Sequence, residues 1–355
     1  MSSTYKVASL FCGCGGIDKG LEGGFVLPYH DEPIPLLGFE VVWANDYNPK
    51  AIESYRANFR DSNHYSICGD IVKIVETAKE YRDKRGDELA LNEPLQPGCE
   101  FDCHNRFCFP AAGAVDLVTG GFPCQPFSLA GKRLALDDPR GKLYQAMLRT
   151  VDMLKPKIFL AENVKGIKTA KGDVIKQIEE DFDKIGYRLE HDVLIASDFG
   201  VPQRRERVIM IGTKKSKPPF KFNLIKVHFP KVFLGRAIGH LAHHKDFVEG
   251  DLMHVWSNAK RNRGQGNTYC DENGFAPTMR AEHHGNIEFH YNRERRLSVR
   301  EAALIQSFPE TFKFRKSATD AYRQIGNAVP PLLAWHIGKG IRRYLDEIYS
   351  HESNV

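Results

Sequence analysis

Seven short apolar runs alternate with stretches of helical periodicity, and that alternation limits the fold of this chain more than any other feature. The runs are 7–11 (VASLF), 41–46 (VVWAND), 65–71 (YSICGDI), 114–124 (AVDLVTGGFPC), 157–164 (KIFLAENV), 189–197 (LEHDVLIAS) and 207–213 (RVIMIGT). Helix-like segments such as IDKGLEGGF and PKAIESYRANF lie between them. Strand and helix in repeated succession predict an open parallel α/β sheet. Ligands of such sheets bind at the carboxyl ends of the strands. Those ends carry the most distinctive residues of the chain: Gly13 to Gly16, Asp46, Asp70, Pro123-Cys124 and Glu162-Asn163.

The pattern changes after Gly212. Residues 214–292 are rich in Lys, Arg, His and Asn, and helical periodicity returns only at 297–308 and 330–348. This predicts a large lobe over 1–214, completed by 293–355, and a smaller lobe at 215–292. Segments 26–38, with three prolines, and 76–113 read as insertions. The usage, 42% hydrophobic and 27% charged over 355 residues, excludes disorder, collagen and coiled coil as global readings. No apolar run approaches ~18 residues, so no membrane span is expected. The start also lacks the basic-then-apolar pattern of a secretory signal. Of eight cysteines, Cys12 and Cys14 sit in a Gly-rich loop and Cys124 in a Pro-flanked turn. Such places suit no disulfide framework, which points to a reducing cytoplasm. A net charge of +5 is compatible with a nucleic-acid partner without requiring one.

Four groups of residues could carry chemistry. Phe11-Cys12-Gly13-Cys14-Gly15-Gly16 follows a strand and opens a helix, and its glycines allow a tight turn and close approach to a ligand. Its spacing is not G-x-G-x-x-G, so a pyrophosphate cradle is not implied. Asp46 ends the next strand, where an acid commonly holds ribose hydroxyls, and Asp70 ends the third. Together they suggest a nucleoside ligand without a diphosphate; the simpler alternative is a plain strand–helix turn. Cys124 lies just past a buried strand, where a thiolate suits nucleophilic catalysis, although a free cysteine is more often inert. Glu162 ends the neighbouring strand, and a carboxyl in a partly dry site can act as an acid. Gln203-Arg204-Arg205-Glu206-Arg207 is a dense cationic cluster; for Arg204 and Glu206 a solvated ion-pair network is the simpler reading. Cys99, Cys103, His104 and Cys108 are zinc-type residues, but C-x3-C-H-x3-C is unlike common finger or ribbon spacing. They read as free thiols, and no metal is expected.

FCGCGG, the acid of ANDY, GDI, GGFPCQPFS, ENV, QRRERV, RLSVREAALIQSFP and QIGNAV occur here in the order found in DNA (cytosine-5)-methyltransferases. The chain resembles that family from residue 9 to about residue 340, and its length is similar to that of bacterial restriction–modification enzymes made of this module alone. The resemblance implies a Rossmann-like S-adenosylmethionine-dependent methyltransferase sheet, with 215–292 as the target-recognition lobe. It implies S-adenosyl-L-methionine as cofactor and double-stranded DNA as partner. It also implies a monomer, with a genetically linked restriction endonuclease that forms no stable complex with it. Phe11 would pack near the adenosine, and Gly13, Gly15 and Gly16 would pass the methionine part. Asp46 would take the ribose, Tyr47 would stack on adenine, Asp70 would bond the adenine amino group beside Ile71, and Asn327 would close the pocket. Ser9 departs from the pattern, since many members carry Asp there.

The same resemblance assigns the chemistry. Cys124 would add to C6 of cytosine, Glu162 would bond or protonate N3, and Arg207 would hold O2 and favour the thiolate. The nucleotide must flip out of the duplex, because a paired base cannot present its face. Residues 128–144 would form a lid on the DNA with Ser128, Lys132 and Arg133. Arg205, Arg261, Arg263, Thr278, Arg280 and His283 are the remaining candidates for DNA contacts. A tRNA-modifying branch of the family typically has Cys-Phe-Thr in the small lobe, and this chain has none. A non-catalytic DNA-binding regulator on the same fold is the other alternative; intact Pro123-Cys124, Glu162 and Arg207 speak against it.

Overall fold

The computed structural model describes residues 4–59, 65–85, 109–122, 139–169, 173–225, 229–242, 251–257, 260, 268–281, 288–292 and 295–349. Seven strands form one sheet: β1 (Tyr5–Leu10), β2 (Phe39–Asp46), β3 (Tyr65–Cys68), β4 (Leu117–Gly120), β5 (Ile158–Val164), β6 (Tyr187–Ile195) and β7 (Glu206–Lys214). Their order is β3-β2-β1-β4-β5-β7-β6. The order reverses between β1 and β4, and such a switch point is where an open α/β sheet has its crevice, at the carboxyl ends of the strands.

The sheet is mixed rather than wholly parallel. β1 to β5 pair in parallel, but β7 runs antiparallel to β5 and to β6, between them. The connection from β6 to β7 explains the departure from the sequence expectation. It holds a single 3-10 turn (Ala196–Phe199) and no α-helix, too short for the crossover that parallel neighbours need. The absence of a helical pattern between 197 and 207 was the available signal.

Side chains alternate between two apolar cores. Val7, Leu117, Ile158, Leu160, Ile209 and Ile211 face one, and Ala8, Leu10, Val118, Phe159, Ala161, Val208 and Met210 face the other. Burial on both faces is why these strands read as continuous apolar runs. The second core is covered by α3 (Ile71–Arg85), α4 (Pro139–Leu154) and α5 (Val174–Lys184). The first is covered by α1 (Gly16–Glu22), α2 (Pro49–Asn58) and α9 (Pro331–Tyr349). α1 and α9 pack backbone to backbone: a Cβ on Gly20 would lie 2.4 Å from the Pro331 carbonyl oxygen.

Segment 26–38 is part of the core rather than an external insertion. Leu27, Tyr29 and Ile34 are buried, and Trp335 Nε1 donates to the Pro35 carbonyl at 2.8 Å. Among the described residues of 215–292 there is one short helix, α6 (Leu234–Ile238), with 3-10 turns and isolated bridges. Their apolar side chains, Phe220, Val232, Leu234 and Met279 among them, join the same core as α7 (Val299–Ile305) and α8 (Ala318–Asn327). Ser298 and Glu301 form a capping box at α7, and Arg295 grips Glu301 with two bonds of 2.7 and 2.8 Å. Among the described residues, no helix is long and apolar enough to cross a membrane.

Candidate active site

Two clusters meet at the crevice, one at β1–β2 and one at β4–β5–β7. At the first, the chain leaves β1 through Phe11, whose φ of 53° is costly for a residue with a side chain. The turn is then held by Asp46 from the end of β2. Its Oδ2 accepts the Gly13 N–H at 2.8 Å, and its Oδ1 accepts the Asn48 N–H at 2.8 Å. Burial pushes the Asp46 carboxyl above its ordinary pKa, and these two N–H groups pull it back. Gly15, at φ 97°, caps α1, and a Cβ there would strike the Phe59 ring at 2.3 Å. Gly13 is different: among the described residues, a Cβ there would meet nothing within 4 Å. The loop is thus packed tightly from below and open above, as a cradle for a ligand must be.

The other expected cofactor residues are placed differently. Tyr47 is 77% exposed beside Asp46. Asp70 accepts the Val72 N–H at 3.0 Å through Oδ1, which makes it a cap on α3. Ile71 is buried in the core under that helix. Asn327 is exposed at the end of α8, next to Ala328 and Val329, which lie against Gly16. The remote QIGNAV segment therefore reaches the glycine loop. Cys14 adds a contact from its thiol to the Gln324 carbonyl at 3.8 Å.

At the second cluster, Glu162 and Arg207 project from adjacent antiparallel strands. Arg207 Nε lies 2.7 Å from Glu162 Oε1, with side chains only 12% and 11% exposed for Glu162 and Arg207 respectively. Glu162 Oε2 faces the end of β4, where a Cβ on Gly121 would lie 3.1 Å away. Asn163, buried, donates from Nδ2 to the Phe122 carbonyl at 2.9 Å and tethers the chain just before Pro123. Glu206 pairs outward with Lys165 at 2.8 Å, which agrees with its reading as an ion-pair residue.

Arg205 is not where sequence reasoning put it. It is 1% exposed and donates to the carbonyls of Met279, Gly326 and Ala328 at 2.9, 2.8 and 3.0 Å. Burial, with Arg207 beside it, pulls its pKa down to about 9. A guanidinium so enclosed ties 279, 326 and 328 together and is not available to DNA. Gln203 works beside it: it accepts the Met279 N–H at 2.8 Å and donates to Gln306, whose own amide reaches the Ala328 carbonyl at 2.6 Å. Gly326 is needed because a Cβ there would collide with the Arg280 carbonyl at 2.2 Å. Thr278 donates to the Arg204 carbonyl at 2.9 Å, and Arg280 is exposed.

Pro123, Cys124, Ser128, Lys132, Arg133, Arg261, Arg263 and His283 lie outside the described residues, as do Cys99, Cys103, His104 and Cys108. Sequence reasoning missed Asp18, Gln306 and Glu301, all fully buried. A polar residue on the buried face of a helix is a findable signal only once that face is known.

A doubly wound sheet with an antiparallel β7 and a glycine loop after β1 defines the fold of S-adenosylmethionine-dependent methyltransferases. The family model for C-5 cytosine-specific DNA methylases matches residues 5–246 and 243–343, and the chain belongs to that family. It is 32% identical to the type II methyltransferase M.NgoFVII of Neisseria gonorrhoeae, over 98% of this chain and 89% of that one. It is 31% identical to M1.HphI of Haemophilus parahaemolyticus, over 96% and 87%. Among solved structures, a prophage-encoded DNA modification methyltransferase of E. coli, described as putative, superposes with a TM-score of 0.68 at 23% identity, over 97% of this chain and all of that one. The Dnmt2 methyltransferase of S. pombe superposes at 0.62 and 20%, over 97% and 99%. The enzyme is accordingly a DNA (cytosine-5)-methyltransferase.

Proposed function

We propose that the protein methylates C5 of a cytosine within a specific short duplex sequence, and that this protects DNA from a cognate restriction endonuclease. We further propose that it acts as a monomer, without a stable complex with that endonuclease. The observation that carries the reading is the Glu162–Arg207 pair, half-closed between β5 and β7, with Asn163 holding the chain that leads to Cys124. That arrangement suits a flipped cytosine. Glu162 presents a carboxyl O–H to donate to N3, Arg207 a donor for O2, and Cys124 follows two residues past the tethered Phe122.

The open cradle at Gly13, with Asp46 below it and Tyr47 beside it, fits a nucleoside cofactor. Phe11, Asp70 and Asn327 would complete the set around S-adenosylmethionine. When bound, that cofactor supplies a methyl group on a sulfonium, which C5 of cytosine cannot accept without activation. Cys124 provides the activation: its thiolate adds to C6, C5 becomes enamine-like, and a proton donated by the Glu162 carboxyl to N3 offsets the charge that builds there. After methylation the C5 proton leaves and Cys124 is expelled.

Residues 215–292 are the proposed target-recognition lobe, with Arg261, Arg263, Thr278, Arg280 and His283 as candidate contacts and Ser128, Lys132 and Arg133 on the lid. The test of the function is expression in a methylation-free host, followed by mapping of methylated cytosines and an assay on duplex DNA against tRNA. Methylation confined to one short duplex sequence supports the reading. Labelled tRNA, or no methyl transfer, refutes it.

Two further results are expected. Asp46→Ala should weaken S-adenosylmethionine binding by roughly 10- to 150-fold in calorimetry, about 1.5–3 kcal/mol. Part of that loss comes from the released Gly13 loop, so Asp46→Asn, which keeps one acceptor, should lose less. Arg280→Ala should leave cofactor affinity unchanged and alter DNA binding. A uniform loss with a salt slope smaller by about 1 marks a phosphate contact, whereas relaxed discrimination at one position marks a base contact. Wild-type affinity and specificity would show that Arg280 lies off the DNA surface.

A further inference from the structure

Beneath the glycine loop lies a carboxylate that the mechanism above does not use. Asp18, on the first turn of α1, is 0% exposed. Its Oδ1 accepts the Ser9 hydroxyl at 2.7 Å and its Oδ2 accepts the Tyr55 hydroxyl at 2.7 Å. Thr119 in turn donates to the Ser9 oxygen at 3.2 Å, so β1, β4, α1 and α2 all converge on one acid. Among the described residues, both groups bonded to the carboxylate are neutral hydroxyls. A buried charge satisfied by neutral donors alone is costly, and such a site is stabilised by an opposite charge. Ser9 also stands where the family resemblance leads one to expect Asp, so here the acid is supplied from the helix and aimed back at the strand.

The field of Asp18 reaches the loop itself. Burial raises the Cys12 and Cys14 thiols, and the negative charges of Asp46 and Asp18 raise them further. Tyr55 forms the floor under Gly15, where a Cβ would lie 3.1 Å from its ring, and it stacks on Phe59 at 4.3 Å. Asp18 is therefore one side-chain layer below the cradle that Gly13 leaves open.

We propose that Asp18 is the buried counter-charge for the cationic sulfonium of the cofactor, acting through the loop as a positioning residue that favours the methyl donor over its neutral thioether product. The inference rests on the cofactor assignment made above. It gives the enzyme a way to release S-adenosylhomocysteine after transfer: the cation that Asp18 attracts has disappeared.

Protonation supplies the readout. Burial lifts the Asp18 carboxyl to about 6, against the pull of the Ser9 and Tyr55 bonds. A cation bound above it favours the ionised form, so donor affinity is complete above that value and falls as the pH drops through it. The other titratable groups around the loop are Tyr55, Cys12 and Cys14, all raised, and Asp46. Lys19 pairs with Glu22 further along α1, at 3.7 Å.

The experiment is calorimetric titration of the full-length protein with S-adenosylmethionine and with S-adenosylhomocysteine between pH 5 and 8, without DNA. Wild type should gain about tenfold in donor affinity across about one unit either side of the midpoint, while product affinity changes little. Asp18→Asn, which keeps the shape, should lose about tenfold in donor affinity at pH 8, flatten the profile and leave product affinity within about twofold. Tyr55→Phe removes a bond to the charged form and should move the midpoint to higher pH, a result that a merely structural role would not produce. Should wild type bind neither ligand, the cofactor assignment itself fails. Binding of both ligands with a donor-to-product ratio that is independent of pH and unchanged in Asp18→Asn overturns the proposal alone.

Discussion

Cys124→Ser should form no covalent adduct with duplex DNA carrying 5-fluorocytosine, under conditions in which the wild-type protein is trapped in a denaturation-resistant complex. Fluorine at C5 cannot leave as a proton does, so elimination of the enzyme stops once the thiolate has added to C6 and the methyl group has moved. A serine hydroxyl is far less nucleophilic than a thiolate near neutrality, and turnover should fall by about a thousandfold or more. Glu162→Gln should slow trapping without abolishing DNA binding, because it preserves the shape between β5 and β7 while removing the carboxyl partner of Arg207. Cys12 and Cys14 should not substitute: both thiols are pushed up by burial on the cofactor side of the crevice. Peptide mapping of the adduct to a cysteine other than Cys124 would overturn the mechanism.

Arg205→Met should destabilise the protein by about 3 kcal/mol or more and lower its melting temperature by about 5 °C. The guanidinium serves three carbonyls from two distant segments, 279 and 326–328. Removing it leaves buried acceptors unpaired, which costs far more than the loss of one exposed bond. Arg205→Lys keeps the charge but not the planar fork, so it should recover only part of the loss. A DNA-contacting residue would behave in the opposite way. Were Arg205→Met as stable as wild type but weaker on DNA, with a smaller salt slope, the buried placement would be wrong.

The contrast between Arg205 and Arg207 shows what a linear pattern can carry. Both belong to Gln203-Arg204-Arg205-Glu206-Arg207, and nothing local distinguishes an interior strut from a residue at the crevice. Alternation does not separate them, since residues two apart share a face and Arg205 stands just before β7; their difference comes from what lies opposite each one. Arg207 meets Glu162 across the β5–β7 ladder, while Arg205 enters the space between the 279 and 326 segments. Asp46 is the reverse case. A carboxylate closing the strand after a glycine loop reads from sequence as an acid beside that loop, and the structure shows it holding the Gly13 N–H.

Short-range rules were enough for the strand–helix alternation, the glycine turn after β1, the acids at strand ends and the family membership, because each is written in neighbouring residues. Tertiary structure alone decided the joining of QIGNAV to the glycine loop, the burial of Arg205 and the placement of Asp18 against Ser9 and Tyr55. The physical reason is common to all three. Each depends on which groups are desolvated together, and the cost of burying a charge or an unpaired carbonyl is set by partners that, for Arg205, stand more than a hundred residues away in the chain.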